Sequence, residues 1–310
     1  MTESRLSTGE QVTSIWGLGG LRAKELVSLV WQQVNDENLL NRASELAYNF
    51  LLALFPFLLF LLVLFGLLAA RGPMLQQELF SYIGRVLPAP AAQLVSKTLS
   101  EVVNASGGGK LTFGIILALW SASSGTSTMM SLLTEAYQVR DTRPWYQAKL
   151  IALGLTIAMS ALTIAALLIV LFGGPIADFI GRHTGLGSIP LLIWKVTQWP
   201  AALFFVAFAF SLIYYFGPDV KEQHWYWITP GSVIGVLLWL GCSFGLRAYL
   251  HFSNSYTKTY GSLGAVIVLL LWFYMTGLAF LIGGHINAQI EHAAAAHGHP
   301  EAKAPGQKAA

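Results

Sequence analysis

The stretch TYGSLGAVIVLLLWFYMTGLAFLIGGHINA, residues 259–288, contains no Asp, Glu, Lys or Arg. About 20 helical residues cross a ~30 Å hydrocarbon core, so this stretch is long enough to span a bilayer. Its apolar character is continuous, whereas a barrel strand would alternate over ~10 residues; it reads as a helix. Five further windows share the property. The spans 46–70, 111–134, 150–177, 196–218, 225–246 and 259–287 predict an all-α membrane protein with six transmembrane helices in a single domain, 1–292. Residues 293–310, rich in Ala, Pro, Lys and His, read as a disordered tail.

Composition agrees. Of 310 residues, 55% are apolar and 11% charged, against roughly 25% charged in a soluble protein. The net charge of +3 comes with no basic tract, so nucleic acid is not an expected partner. The expected partners are the lipid bilayer and a small solute or lipid, with a homo-oligomeric assembly left open. One cysteine, Cys242, excludes an intramolecular disulfide framework. The polar first 45 residues show no short apolar core with a cleavage site, so the first span is expected to act as an uncleaved insertion signal. With the N-terminus inside, inner segments hold ten Lys and Arg and outer segments seven. This weak positive-inside bias places both termini in the cytoplasm.

Amphipathic helices are expected outside the spans. Leu26, Val27, Val30, Trp31 and Val34 share one helical face, the pattern of a helix lying in the membrane surface before the first span. In the first loop, Leu75, Leu79, Ile83 and Val86 form one stripe and Leu94, Val95, Leu99 and Val102 another, separated by Pro88 and Pro90.

Polar groups within a bilayer are expensive and mark candidate pathways. Glu45, Asn49 and Pro56 lie on one side of the first span, where Pro56 also frees the Leu52 carbonyl. An interfacial glutamate with a structural kink fits the same residues. Ser123, Ser124 and Ser127 sit among hydroxyls on every side of the second span, suited to close helix packing or to a polar interior. Gly231/Gly235 and Gly241/Gly245 form a helix-packing stripe on the fifth span, and Arg247 points away from it. Tyr256 and Tyr260 at the head of the sixth span, and His285 and Asn287 at its end, complete the candidate pathway-lining set. His292, His297 and His299 read as tail composition, and no metal or cofactor is expected.

Taken together, ASELAYNFLLALFPFLLFL from Ala43, SASSGTSTMMSLLTEAYQVRDTRPWY from Ser121, YYFGPD from Tyr214, ITPGSVIG from Ile228 and YTKTYGSLGAVIVLLLWFYMTGLAFLIGGHINA from Tyr256 resemble the BrkB/YihY-type bacterial inner-membrane proteins. That family was once labelled ribonuclease BN. The resemblance covers about residues 25–292 and implies six helices, the bacterial cytoplasmic membrane and a role described as transport. One departure stands out: relatives often carry Glu in a G-A-E-L-N-A pattern where this chain has His285.

The old nuclease label demands clustered metal-binding acids or histidines and a basic track. The acids of the N-terminal segment show no such spacing, and no H-E-x-x-H, G-x-S-x-G or Walker loop occurs. The chain is therefore not expected to be an enzyme; an intramembrane hydrolase would need Ser124 or Ser243 beside His285. A transporter or channel predicts that Glu45, Asn49, Ser124, Arg247 and Asn287 converge on one solvated cavity. A non-transporting envelope scaffold predicts a sealed bundle with an open apolar or glycine-rich face.

Overall fold

The computed structural model describes residues 16–36, 38–69, 109–184, 188–220, 228–252, 255–298 and 302–308. Among these the regular structure is entirely helical. A short 3-10 turn (Leu18–Gly20) leads into α1 (Ala23–Asp36), α2 (Leu39–Ala69), α3 (Gly109–Ala136), α4 (Trp145–Thr184), α5 (Ser188–Phe216), α6 (Pro230–Phe252) and α7 (Ser255–Ala296). In lipid every backbone group must be satisfied within its own segment, and helices do this.

Local chemistry sets the helix ends. Thr229 and Ser232 form a reciprocal capping box at the start of α6: Ser232 N–H donates to Thr229 Oγ1 at 3.1 Å and Thr229 N–H to Ser232 Oγ at 3.0 Å. Pro230 follows at the first helical position, where a missing N–H costs nothing. Residues 228 and 229 of the expected fifth span precede this helix, and residues 225–227 lie outside the described residues. At the other end of α3, Gln138 adopts φ +57°. This lets Val139 N–H reach back to Thr134 O at 3.2 Å, a helix-closing geometry glycine usually supplies.

Two compact units make up the chain: Met1–Leu51 with Thr126–Ala310, and Leu52–Gly125. In the larger unit α4 packs along α5, α6 packs along α7, and the 3-10 turn and α1 lie on α7. Its core joins Leu39, Ala43 and Leu46 of α2, Leu132 and Leu133 of α3, Ile213 and Tyr214 of α5, and Phe280 and Leu281 of α7. Gly231 is required where α6 meets α7, because a Cβ there would strike the Gly283 carbonyl. The smaller unit holds the rest of α2, including Pro56 within the helix, and the first part of α3.

Among the described residues four helices are long and apolar enough to cross a membrane: Trp145–Val170, Val196–Phe216, Pro230–Leu250 and Val266–Ala296. Between 17% and 33% of each window is buried, which leaves most of the apolar surface for lipid. At 42 residues, α7 is roughly 63 Å long, twice a hydrocarbon core, so part of it projects beyond the membrane. The α1 stripe divides: Leu26 and Val30 pack against Ile286 and Ile290 of α7, while Val27 and Trp31 are 68% and 67% exposed. The amphipathic helices expected in the first loop lie outside the described residues.

Helix α7 runs past 287 to Ala296, because Ala-rich sequence after Glu291 continues it. Residues 302–308 lie against helix ends, with Lys303 buried and ion-paired to Glu291.

Candidate functional site at the polar end of the larger unit

The end of α7, the start of α6, and the loops that follow α3 and α5 meet at one end of the larger unit. Asn287 holds the first two of these together. Its Oδ1 accepts the Gly231 N–H at 2.9 Å and its Nδ2 donates to Thr229 Oγ1 at 3.0 Å. An orphan donor at a helix start is thereby satisfied. Tyr214 donates its hydroxyl to the Phe280 carbonyl at 2.7 Å, fixing α5 to α7.

Beside this clamp, His285 is 3% exposed and its Nδ1 lies 3.1 Å from Gln33 Oε1 of α1. A small crevice opens next to it, lined by Leu39, Arg42, Leu132, Glu135, Leu281 and His285. Arg42 bridges Glu45 at 3.3 Å and Glu135 at 2.7 Å. All three side chains are more than 40% exposed, so these pairs add little stability.

Asp219, in the loop after α5, is the hub of the end. Its Oδ2 accepts the Thr142 N–H at 2.8 Å and hydroxyl at 3.2 Å, and pairs with Lys308. Its own N–H donates to Thr134 Oγ1 at 3.2 Å. Arg143 is nearly buried, makes a two-pronged contact to Asp141 (Nη2 to Oδ2, 2.6 Å; Nε to Oδ1, 3.0 Å), and donates to the Gly217 carbonyl at 3.0 Å. The Arg143 hydrogen bonds hold the Asp141 carboxyl below its ordinary value, against a smaller opposing effect of burial. Burial pushes Asp219 up, but Lys308 and the Thr142 hydrogen bonds outweigh it and hold that carboxyl low. Burial, reinforced by Glu291, raises the Tyr137 phenol well above its usual range.

Below this end, hydroxyls continue into the apolar bundle. Thr126 and Thr156 lie 2.9 Å apart between α3 and α4, Thr156 donates to Ala152 O, and Ser160 to Thr156 O. Ser211 of α5 is buried, and its hydroxyl has no partner among the described residues.

The predicted residues fall in several places. Glu45 reaches the crevice group through Arg42, and Asn49 donates to the Glu45 carbonyl on its own helix at 2.9 Å. Ser127 is half-buried on α3 of the larger unit. In the smaller unit Pro56 is half-buried, and Ser123 and Ser124 donate to Trp120 O and Ser121 O of their own helix. Arg247 is exposed on α6, roughly 24 Å along the axis from Gly231 at 1.5 Å per residue. Tyr256 and Tyr260 fall on the first turns of α7, and their side chains lie outside the described residues. Gly231 and Gly235 sit against α7 and α5; a Cβ at Gly241 or Gly245 would meet no described atom within 4 Å beyond its own stretch of helix. His285, Asn287 and Glu45 thus share one end, and Arg247 does not join them.

Ser243 accepts the Trp272 indole N–H at 3.0 Å, roughly 20 Å along α7 from His285. Among the described residues no group of three His, Cys, Asp or Glu is placed to hold a metal ion. Sequence reasoning passed over Gln33, Arg42, Glu135, Arg143, Asp219 and Thr229. Four of these six were within view, because RDTRPWY, YYFGPD, ITPGSVIG and the TEAY segment carry Arg143, Asp219, Thr229 and Glu135.

Residues 30–307 match the family model described as Virulence factor BrkB. The chain is 36% identical over 248 residues, 80% of its length and 88% of the relative, to the "Putative ribonuclease-like protein YfkH" of Bacillus subtilis. It is 25% identical over 279 residues to "UPF0761 membrane protein Smlt0865" of Stenotrophomonas maltophilia, covering 87% of this chain and 61% of that one. A Xanthomonas axonopodis relative, "UPF0761 membrane protein XAC0937", is 27% identical over 273 residues, 84% of this chain and 60% of its own. The chain thus spans about three fifths of those two longer relatives. No solved structure matches.

Proposed function

The chain belongs to the BrkB family of membrane proteins, and from that premise we propose that it is a transporter or channel for a small solute or an amphiphile. It crosses the bacterial cytoplasmic membrane six times, with both termini on the cytoplasmic side and α1 lying at that surface. The supporting observation is a set of polar groups: the Asp219–Arg143 pair at one end and the buried hydroxyls of Thr126, Thr156, Ser160 and Ser211 within the apolar helices. A purely structural bundle in lipid gains little from buried ions and hydroxyls, whereas polar groups facing a membrane interior mark solute paths.

The polar end acts on this reading as the cytoplasmic mouth. Arg42, Glu135 and Glu45 offer exchangeable charges at its rim, and the buried hydroxyls offer weak hydrogen bonds deeper in the bundle. No step requires bond chemistry, so the chain acts without catalysis, and the ribonuclease wording in one relative's name is not carried to it.

A second reading, a non-transporting envelope scaffold, draws on two observations: Arg247 stands apart from Glu45 and Asn287, and the Gly241/Gly245 face of α6 is open among the described residues. Flux decides between them. Proteoliposomes of the wild-type chain should pass at least one ion, metabolite or fluorescent lipid faster than empty vesicles, and Thr156→Val and Glu45→Gln should slow it several-fold. Rates equal to empty vesicles for every compound tested would leave the scaffold in front.

A further inference from the structure

The sequence of the tail dictates a turn. Gln307 N–H donates to Ala304 O at 3.0 Å, and Gly306 between them has φ +81°. Proline at the second position and glycine at the third specify a type II β-turn, since Pro305 fixes its φ and Gly306 tolerates the left-handed one. Ala304 N–H also donates to Gln307 Oε1 at 3.1 Å, closing the turn from the other side. Lys303 and Lys308 leave its two arms, and each meets a carboxylate. Lys303, 1% exposed, lies 3.3 Å from Glu291 Oε1 of α7. Lys308 pairs with Asp219 and donates to Thr142 Oγ1 at 2.6 Å. Gly306 N–H donates to the Tyr137 carbonyl at 3.4 Å, just past the end of α3.

We propose that residues 303–308 are the resident occupant of a docking site for a lysine–turn–lysine segment, and so form a displaceable plug on the polar end. The receiving side is built from separate elements: Glu291 on α7, Asp219 after α5, and Thr142 and the Tyr137 carbonyl after α3. Two acids face two lysines, with the turn setting the distance between them. A buried lysine is tolerated only with such a partner, so Lys303 commits the segment to this register. Lys308 and Asp219 retain partial exposure, which makes the outer pair the salt-sensitive one. The same Asp219 is the hub of the polar end, so an undocked tail leaves its carboxylate open to other cations. That the plug governs passage rests on the transport reading above.

Trypsin cleaves after lysine, so docking can be read in nanodiscs without any transport. The Lys303–Ala304 bond in the wild-type chain should be cut at least roughly ten-fold more slowly than in a synthetic peptide of residues 300–310, as expected for a site that must open before cleavage. Gly306→Val, which the turn cannot accommodate, and Lys308→Glu should each restore peptide-like cleavage, while Gly306→Asn should keep protection. Both changes lie in the tail and leave the helices untouched; an unaltered elution profile confirms this. Peptide-like cleavage of the wild-type chain, or protection unchanged in Gly306→Val, overturns the docking. Where wild-type flux exceeds that of empty vesicles, the released variants should raise it several-fold. Cleavage gained with flux unchanged overturns the gating role. Protection in a chain that passes nothing refutes transport and leaves the docking intact.

Discussion

Asn287 spends both ends of its amide on the start of α6, and Gly231 sits where no side chain fits. Asn287→Ala removes the partner of a helix-start N–H, which costs about 1–2 kcal/mol. The detergent-solubilised variant should melt several degrees lower and remain monodisperse. Gly231→Ala should be worse, because its Cβ would meet the Gly283 carbonyl and come within 2.6 Å of Asn287 Oδ1; loss of folded protein in fluorescence-detected chromatography is the expected outcome. Near-wild-type melting of Gly231→Ala would contradict the close α6–α7 approach. At this scale the sequence was readable only in part. The G-xxx-G spacing and the intramembrane amide identify Gly231 and Asn287, because both are costly in lipid without a reason. Asp219 and Arg143 look like ordinary loop charges, and their burial depends on which loops meet, which no local pattern encodes.

Helices were legible because apolar runs of this length have one stable form in lipid. Span 150–177 falls inside α4, and span 196–218 lies in α5 up to Phe216, two residues short of its expected end. Their ends were less legible, since capping acts over single residues: Thr229, Pro230 and Ser232 start α6, and Gln138 closes α3 in a conformation that glutamine rarely adopts. Gln138→Gly should therefore stabilise. Its side chain is exposed, and relief of the left-handed strain is worth up to about 1 kcal/mol, less the extra freedom glycine has when unfolded. A melting temperature raised by a degree or more is expected, and a lowered one would show that the α3 end depends on the glutamine side chain. The tail teaches the converse lesson. Its composition argues for disorder, yet Pro305-Gly306 is a strong local turn signal with a lysine on each side, and the partner acids lie far away in sequence.

Across the larger unit, charges add to a small apolar cluster of Tyr137, Val139 and Ala288, with Val220 against it, in holding together the segments that follow α3 and α5. Asp141 binds Arg143 within the loop after α3, and Asp219 ties that loop to the end of α5 and to the tail. Both carboxyls titrate below their ordinary value of 3.8 when folded. A group with a lowered folded pKa contributes stability that is complete above its unfolded value and disappears as pH falls through the folded one. The sign is therefore definite: these two groups add no pH dependence between about pH 7 and pH 5, and their contribution vanishes only below the ordinary carboxylate value. Asp141→Asn with Asp219→Asn should melt lower than the wild-type chain by a constant gap across the neutral range, and the two curves should converge in acid below 3.8. Such a profile, measured by thermal unfolding in a detergent stable to acid, also bears on the tail. Because Lys308 is among the groups that hold Asp219 low, Lys308→Gln should shrink the gap and let the Asp219 contribution begin to fade at a higher pH than in the wild-type chain. A gap that opens near pH 6 would assign the linkage to a histidine instead and remove the carboxylate hub as the fastening of this end.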